Sequence, residues 1–220
     1  MIDKREFQLR TFSVVVVAKN HNPSLLNPDF LLIRHIVPDG YELAEPPITT
    51  PPVAIVKYKQ GISITVEMEK LQVIETTAGE FPESPLATDI ASKYVHTLPH
   101  VRYTGVGINW SGFLRKKDPD LWICNRFLSK GPWRDDPHKL VSSVVRLTYD
   151  LGNIRCNLSL ASGQIFEEET PIPVVTVDVN YHHDITAYPG DDDVVGVINC
   201  WKDRLHHFLL LIRDVLDLEA

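Results

Sequence analysis

The C-terminal stretch sets the strongest limit on the fold. Val194, Ile198, Trp201, Leu205, Phe208, Ile212 and Val215 recur at steps of four and three. At roughly 100° per residue these side chains share an arc about 100° wide. Such a stripe lays a long helix on a large apolar surface, which the rest of the chain has to supply. Asp191-Asp192-Asp193 precedes it and suits the positive end of the helix dipole. One turn departs from the two-faced pattern. Phe208 to Ile212 is apolar all round, because Leu210 stands almost opposite the stripe and Leu211 also lies off it. That turn asks for burial on a second side, under another part of the chain or under a partner or second copy.

The apolar surface is a sheet. Residues 8–18 read as a strand, and the β-branched run Val14 to Val17 places it centrally, buried on both faces. A connection punctuated by Pro and Asn follows, with a short helix near Pro23 to Leu26 and a turn at Pro38-Asp39-Gly40. Phe30 to Val37 between them is apolar without a clear period. Pro46 to Pro52 holds four prolines and reads as an extended linker.

Ala54, Val56 and Tyr58, then Ile62, Ile64, Val66 and Met68, alternate with polar or outward residues, and Lys59-Gln60-Gly61 fits a three-residue hairpin loop with Gly last. That register pairs Tyr58 with Ile62 and Val56 with Ile64. Leu71 to Glu75 completes a three-strand meander. A helix follows, capped by Ser84 with Pro85 first and Leu86, Ile90, Tyr94 and Leu98 on its buried face. Val101 to Leu114 is a long strand, Asp118-Pro119 opens a helix through Leu128, and Gly131 to Pro137 is a loop. A second meander then uses Val141 to Tyr149, Ile154 to Leu160 and Val175 to Tyr181.

The order of elements therefore repeats, in halves 8–98 and 101–218: strand, helical insert, three-strand meander, helix. The expected fold is a single α+β domain over residues 1–220, one curved antiparallel sheet with the helices on one face. This order resembles the duplicated saddle of the TATA-binding-protein-like superfold. A formal charge of −7 argues against carrying over its DNA role, since non-specific nucleic-acid affinity comes mostly from Lys and Arg.

Two segments also resemble an uncharacterised, sporadically distributed bacterial family. The first runs from Leu26-Asn27-Pro28-Asp29-Phe30 through Ile36-Val37-Pro38, Pro46-Pro47-Ile48, Thr50-Pro51-Pro52 and Lys70-Leu71-Gln72; the second is the closing helix, Asn199 to Leu216. The shared motifs are turns, linker and core stripe, and the resemblance implies no activity and no residue role.

Catalytic signatures are absent: no phosphate loop, GxSxG elbow, HExxH or paired CxxC. Gly105-Val106-Gly107 lies within a strand pattern and lacks the third glycine of a dinucleotide fingerprint. Cys124, Cys156 and Cys200 stand far apart in apolar contexts and read as buried thiols of a reducing compartment. Asn109-Trp110-Ser111 and Asn157-Leu158-Ser159 match the glycosylation pattern by chance, since Met1 to Arg10 carries no secretory signal. No apolar run reaches the ~20 residues of a membrane span.

For a metal, alternation places Asp178, Asn180 and His182 on one polar face, where a carboxylate and an imidazole could share a metal or a proton; a solvated strand end is the plainer reading. Cys200, Asp203 and His207 have zinc-like types, but Asp203 and His207 are plainly explained as an i,i+4 surface pair. Glu167-Glu168-Glu169 reads as loop acid rather than a Mg²⁺ site. Trp133-Arg134, in a polar loop, combines two residue types enriched at binding hot spots, although a Trp that anchors its own loop to the core is the more common case.

These features lead to a non-enzymatic cytoplasmic protein-interaction subunit, docking on other chains or on itself through Trp133, Arg134, Leu210 and Leu211, with no cofactor. The alternative is a small-ligand-binding or metal-assisted hydrolytic domain. Its pocket would lie between sheet and terminal helices, with Asp178 and His182 as polar groups.

Overall fold

The computed structural model describes residues 7–134, 137–185 and 191–218. Nine strands form one curved antiparallel sheet: β1 (Phe7–Lys19), β2 (Ile48–Thr49), β3 (Val53–Lys57), β4 (Ile62–Glu67), β5 (Lys70–Gly79), β6 (Arg102–Arg115), β7 (Val145–Asp150), β8 (Ile154–Glu167) and β9 (Thr170–Asp184). Their spatial order is β2-β3-β4-β5-β1-β6-β9-β8-β7. Five α-helices accompany them: α1 (Pro28–Ile33), α2 (Leu86–Thr97), α3 (Pro119–Phe127), α4 (Asp191–Asn199) and α5 (Trp201–Leu216). A 3-10 turn at Pro23–Leu25 precedes α1.

The repeated element order becomes a near-symmetric sheet. β1 and β6 pair at the centre, from Phe7↔Leu114 to Lys19↔Arg102. Outward from them, β5 answers β9, β4 answers β8 and β3 answers β7. The β-branched run of β1 thus sits in the middle, but its burial is unequal: Val14 and Val16 are fully buried on the helix side, whereas Val15 and Val17 are half-buried on a face that no helix covers. The hairpin loop takes the expected form. Val56 pairs with Ile64, the Tyr58 N–H donates to the Ile62 carbonyl at 2.8 Å, and Gly61 has φ +81°.

Four local expectations change. The proline-rich linker contributes β2, a two-residue edge strand between Pro46-Pro47 and Pro51-Pro52. At α2, Ser84 does not cap. The helix begins at Leu86, and Glu75 Oε2, from the neighbouring strand, accepts the Ala87 N–H at 3.0 Å. β7 begins at Val145 rather than Val141, and β8 therefore runs on past it. Upstream, Val141 and Val144 face solvent while the Ser143 hydroxyl lies 3.3 Å from the Cys124 thiol on α3. The long closing helix is broken into α4 and α5 at Cys200. There the thiol takes the Gly196 carbonyl (3.4 Å), and the backbone N–H turns to Val197 (3.2 Å), a 3-10 bond. The side chains of Asp191 and Asp192 lie outside the described residues.

The core is one layer between sheet and helices. Its centre is aromatic: Phe208 of α5 stacks on Trp110 of β6 (centroids 5.4 Å, 10° between planes) and meets Phe7 of β1 and Phe81 edge-on, each at 5.9 Å. Phe12 and Tyr181 flank Trp110 at 5.3 and 5.6 Å. The apolar stripe found in the sequence is what seats α4 and α5: Val194, Ile198, Trp201, Phe208 and Ile212 are all buried. No described helix is long and apolar enough to cross a membrane.

Candidate binding surfaces around the terminal helix and on the open sheet face

α5 lies on the sheet with two flanks. One faces the β5–α2 connection, the other meets Tyr181 of β9. On the first flank, His206, Leu209, Leu210 and Arg213 oppose Phe81 across a groove of about 1010 Å³, with Phe7 and Glu75 also in its wall. The floor is the aromatic cluster that anchors Phe208, and the rim carries Glu83 on one side and Arg213 on the other. Glu75 is half-buried there, and burial raises its carboxyl pKa despite the Ala87 and Leu86 amides that favour the charged form.

The all-round apolar turn divides between chain and solvent. Leu211 is 9% exposed and belongs to the core cluster, so the chain itself covers it. Leu210 is 38% exposed at the groove, and Leu209 is half-buried beside it. Leu209 belongs to the all-round apolar turn of the sequence, whereas Phe81 had no distinct signal there. Phe81 sits in an acidic, proline-containing connection, where an isolated apolar residue is the only hint.

Trp133 and Arg134 lie elsewhere, beyond the C-terminus of α3. Arg134 is committed to its own fold: its guanidinium donates to the Cys124 and Leu128 carbonyls (3.3 and 3.4 Å) and to Asn125 Oδ1, closing the end of the helix. Trp133 is 47% exposed, with its indole edge against Gly131, where a Cβ would come within 2.6 Å of Nε1.

Asp178 and His182 are not between sheet and helices. Alternation along β9 turns Val175, Val177, Val179, Tyr181 and His183 to the helix side, and turns Asp178, Asn180 and His182 to the open face. Asp178 and His182 are moreover four residues apart on one strand, about 13 Å along it. They also have separate partners: the Ser111 hydroxyl donates to Asp178 at 2.5 Å, and His182 pairs with Asp184 at 3.0 Å. Among the described residues no three His, Cys, Asp or Glu side chains are placed to hold a metal ion.

The open face itself is a polar lattice. One cross-strand row reads Ser13, Asn109, Asn180, Asn157, Thr148. Along it Asn109 Nδ2 donates to the Ser13 hydroxyl (3.2 Å), Asn180 Nδ2 to Asn109 Oδ1 (2.6 Å) and the Thr148 hydroxyl to Asn157 Oδ1 (2.8 Å). Gly107 makes room for this ladder, since a Cβ there would stand 3.2 Å from Asn180 Nδ2. The glycines that resembled a piece of a dinucleotide fingerprint therefore serve close packing in the sheet. Among the described residues the face shows no exposed aromatic ring.

On the second flank of α5, the Tyr181 hydroxyl and His207 Nδ1 are 2.7 Å apart, with the rings nearly perpendicular. This contact, not a pairing with Asp203 or Cys200, is what His207 makes. The three cysteines are free thiols, and burial pushes that of Cys156 up to about 11. No family model matches the chain, and no curated protein matches it.

Proposed function

We propose that the protein is an interaction subunit, and that the groove beside α5 receives an apolar segment of another protein chain. The observation that supports this most directly is Leu210: a large aliphatic side chain left 38% exposed at the mouth of an apolar groove, in a helix whose other apolar residues are buried or half-buried. Docking sites for helical or extended segments pair an apolar floor with a charged rim. Here Phe7, Phe81 and Leu209 supply the floor, and Glu83 with Arg213 the rim. A guest with two or three apolar anchors and a basic residue toward Glu83 fits that arrangement. The setting is cytoplasmic in this reading, in keeping with three unpaired thiols. Trp133 is a secondary contact point; Arg134 contributes by holding its loop.

The test is Leu210→Glu. The side chain is at the surface, so the variant retains the unfolding midpoint of the parent within a few degrees. The expected result is loss of a stoichiometric partner from tagged capture in the native cell, or a change in mass by light scattering if the partner is a second copy. An unchanged partner set together with an unchanged mass overturns the proposal.

A further inference from the structure

The second flank of α5 brings a guanidinium, two imidazoles and a phenol together, and among the described residues no carboxylate pairs with them. Alternation places Tyr181 and His183 on the helix side of β9, two residues apart. Arg204 and His207 are three apart on α5, one turn along the same flank. The Tyr181–His207 contact at 2.7 Å fixes that flank over the strand. Stepping forward from Tyr181 along the strand and back from His207 along the helix leads to His183 and Arg204. The charge of Arg204 acts on His183, on Tyr181 and on His207 alike.

Two buried atoms in this nest have no partner. His183 is only 6% exposed, and its Nε2 makes no hydrogen bond; Arg204 Nε is equally buried and equally unbonded. Arg204 also forms no ion pair with any carboxylate among the described residues, whereas Arg115, Arg126, Arg155 and Arg213 each have one. Buried polar groups in folded chains are nearly always satisfied, so a pair of orphans beside an unneutralised guanidinium marks a place where something else bonds. Burial and the neighbouring charges push His183 down to about 4, which is the state expected when the compensating negative charge is missing.

We infer that this nest is a binding site for a small oxyanion, of the phosphate or carboxylate kind, held by the Arg204 guanidinium with His183 Nε2 and the Tyr181–His207 pair beside it. A guanidinium presents parallel N–H donors that match two oxygens of either group. The half-exposed Arg204 gives access from solvent, while the buried imidazole offers Nε2, which donates in its Nε2–H tautomer. The site is on the opposite flank of α5 from the groove around Leu210, so it stands or falls independently of the docking role.

The experiment is calorimetric titration of the full chain with inorganic phosphate and, separately, with succinate, at matched ionic strength. Arg204→Gln, His183→Phe and the remote control Lys57→Gln are measured alongside. The expected result is saturable binding of at least one of the two anions, weakened roughly tenfold or more by Arg204→Gln, weakened by His183→Phe and unchanged by Lys57→Gln. Binding of phosphate alone assigns a tetrahedral oxyanion, and binding of succinate alone assigns a carboxylate. Absence of binding by both anions overturns the inference, as does binding that Arg204→Gln leaves intact. Because Arg204 is only partly buried, that variant folds; a thermal melt accompanying each titration verifies it.

Discussion

Glu168 and Glu169 join β8 to β9, and both have positive φ, +46° and +68°. A two-residue hairpin of this type normally uses Asn-Gly, because residues with a Cβ other than Asn and Asp are strained there. Beside the turn, the Arg115–Glu167 ion pair links the end of β6 to the end of β8. Replacing the turn by Glu168→Asn with Glu169→Gly should therefore stabilise the protein by about 1 kcal/mol, seen as a higher denaturant midpoint with an unchanged slope. An unchanged or lower midpoint would mean that the strain is relieved in some other way. The same scale explains why the acidic run looked like a loop in the sequence. It is a loop, but only two residues long, and the first glutamate already belongs to the strand.

At the level of elements, what was legible depended on sequence distance. The β3–β4 hairpin was readable down to its register, because alternation and a terminal Gly fix both within fifteen residues. α3 was readable from Asp118-Pro119, and the Asp118 carboxylate does accept the Leu121 N–H at 3.0 Å. The cap of α2 was not readable. It comes from Glu75, twelve positions from the amide it serves. Removing it by Glu75→Ala should cost about 1 kcal/mol, measured by chemical denaturation, whereas Ser84→Ala should cost far less. Equal costs would return the capping role to Ser84. The break at Cys200 was hidden for a different reason: the stripe keeps its phase through it, so the periodicity gives no sign that a thiol has displaced a backbone hydrogen bond. Of the candidate site, Leu210 was legible from helical phase alone. His183 was legible in principle, as a histidine in register with Val175, Val177 and Val179, but its neighbours on α5 were not.

Across the whole molecule the two halves share one core. β1 of the first half pairs with β6 of the second along nearly its full length, and Phe7, Phe12 and Phe81 of the first half pack with Trp110, Trp201 and Phe208 of the second. All four tryptophans, Trp110, Trp122, Trp133 and Trp201, lie in the second half. Tryptophan fluorescence therefore reports one half, and far-UV circular dichroism reports both. The two unfolding curves should coincide, because neither half can expose its side of the shared core while the other stays folded. Separate midpoints would show two folding units. The duplicated plan was legible in the sequence as element order; that the copies meet through their first strands was not, because pairing partners in a sheet leave no local mark.

The two rims of the sheet are unlike. On one, β2 is short and enclosed by prolines, which cannot offer the amide groups that a further strand needs. On the other, β7 begins only at Val145, opposite Leu160, and β8 runs on from Ala161 to Glu167 beyond it, with Phe166 in solvent. Among the described residues, lateral growth thus has a single starting side. Two molecules that meet there back to back use up both live margins and leave only proline-blunted ones, so a pair would be the end of the series and a fibre built by sheet extension is closed off by the chain's own asymmetry.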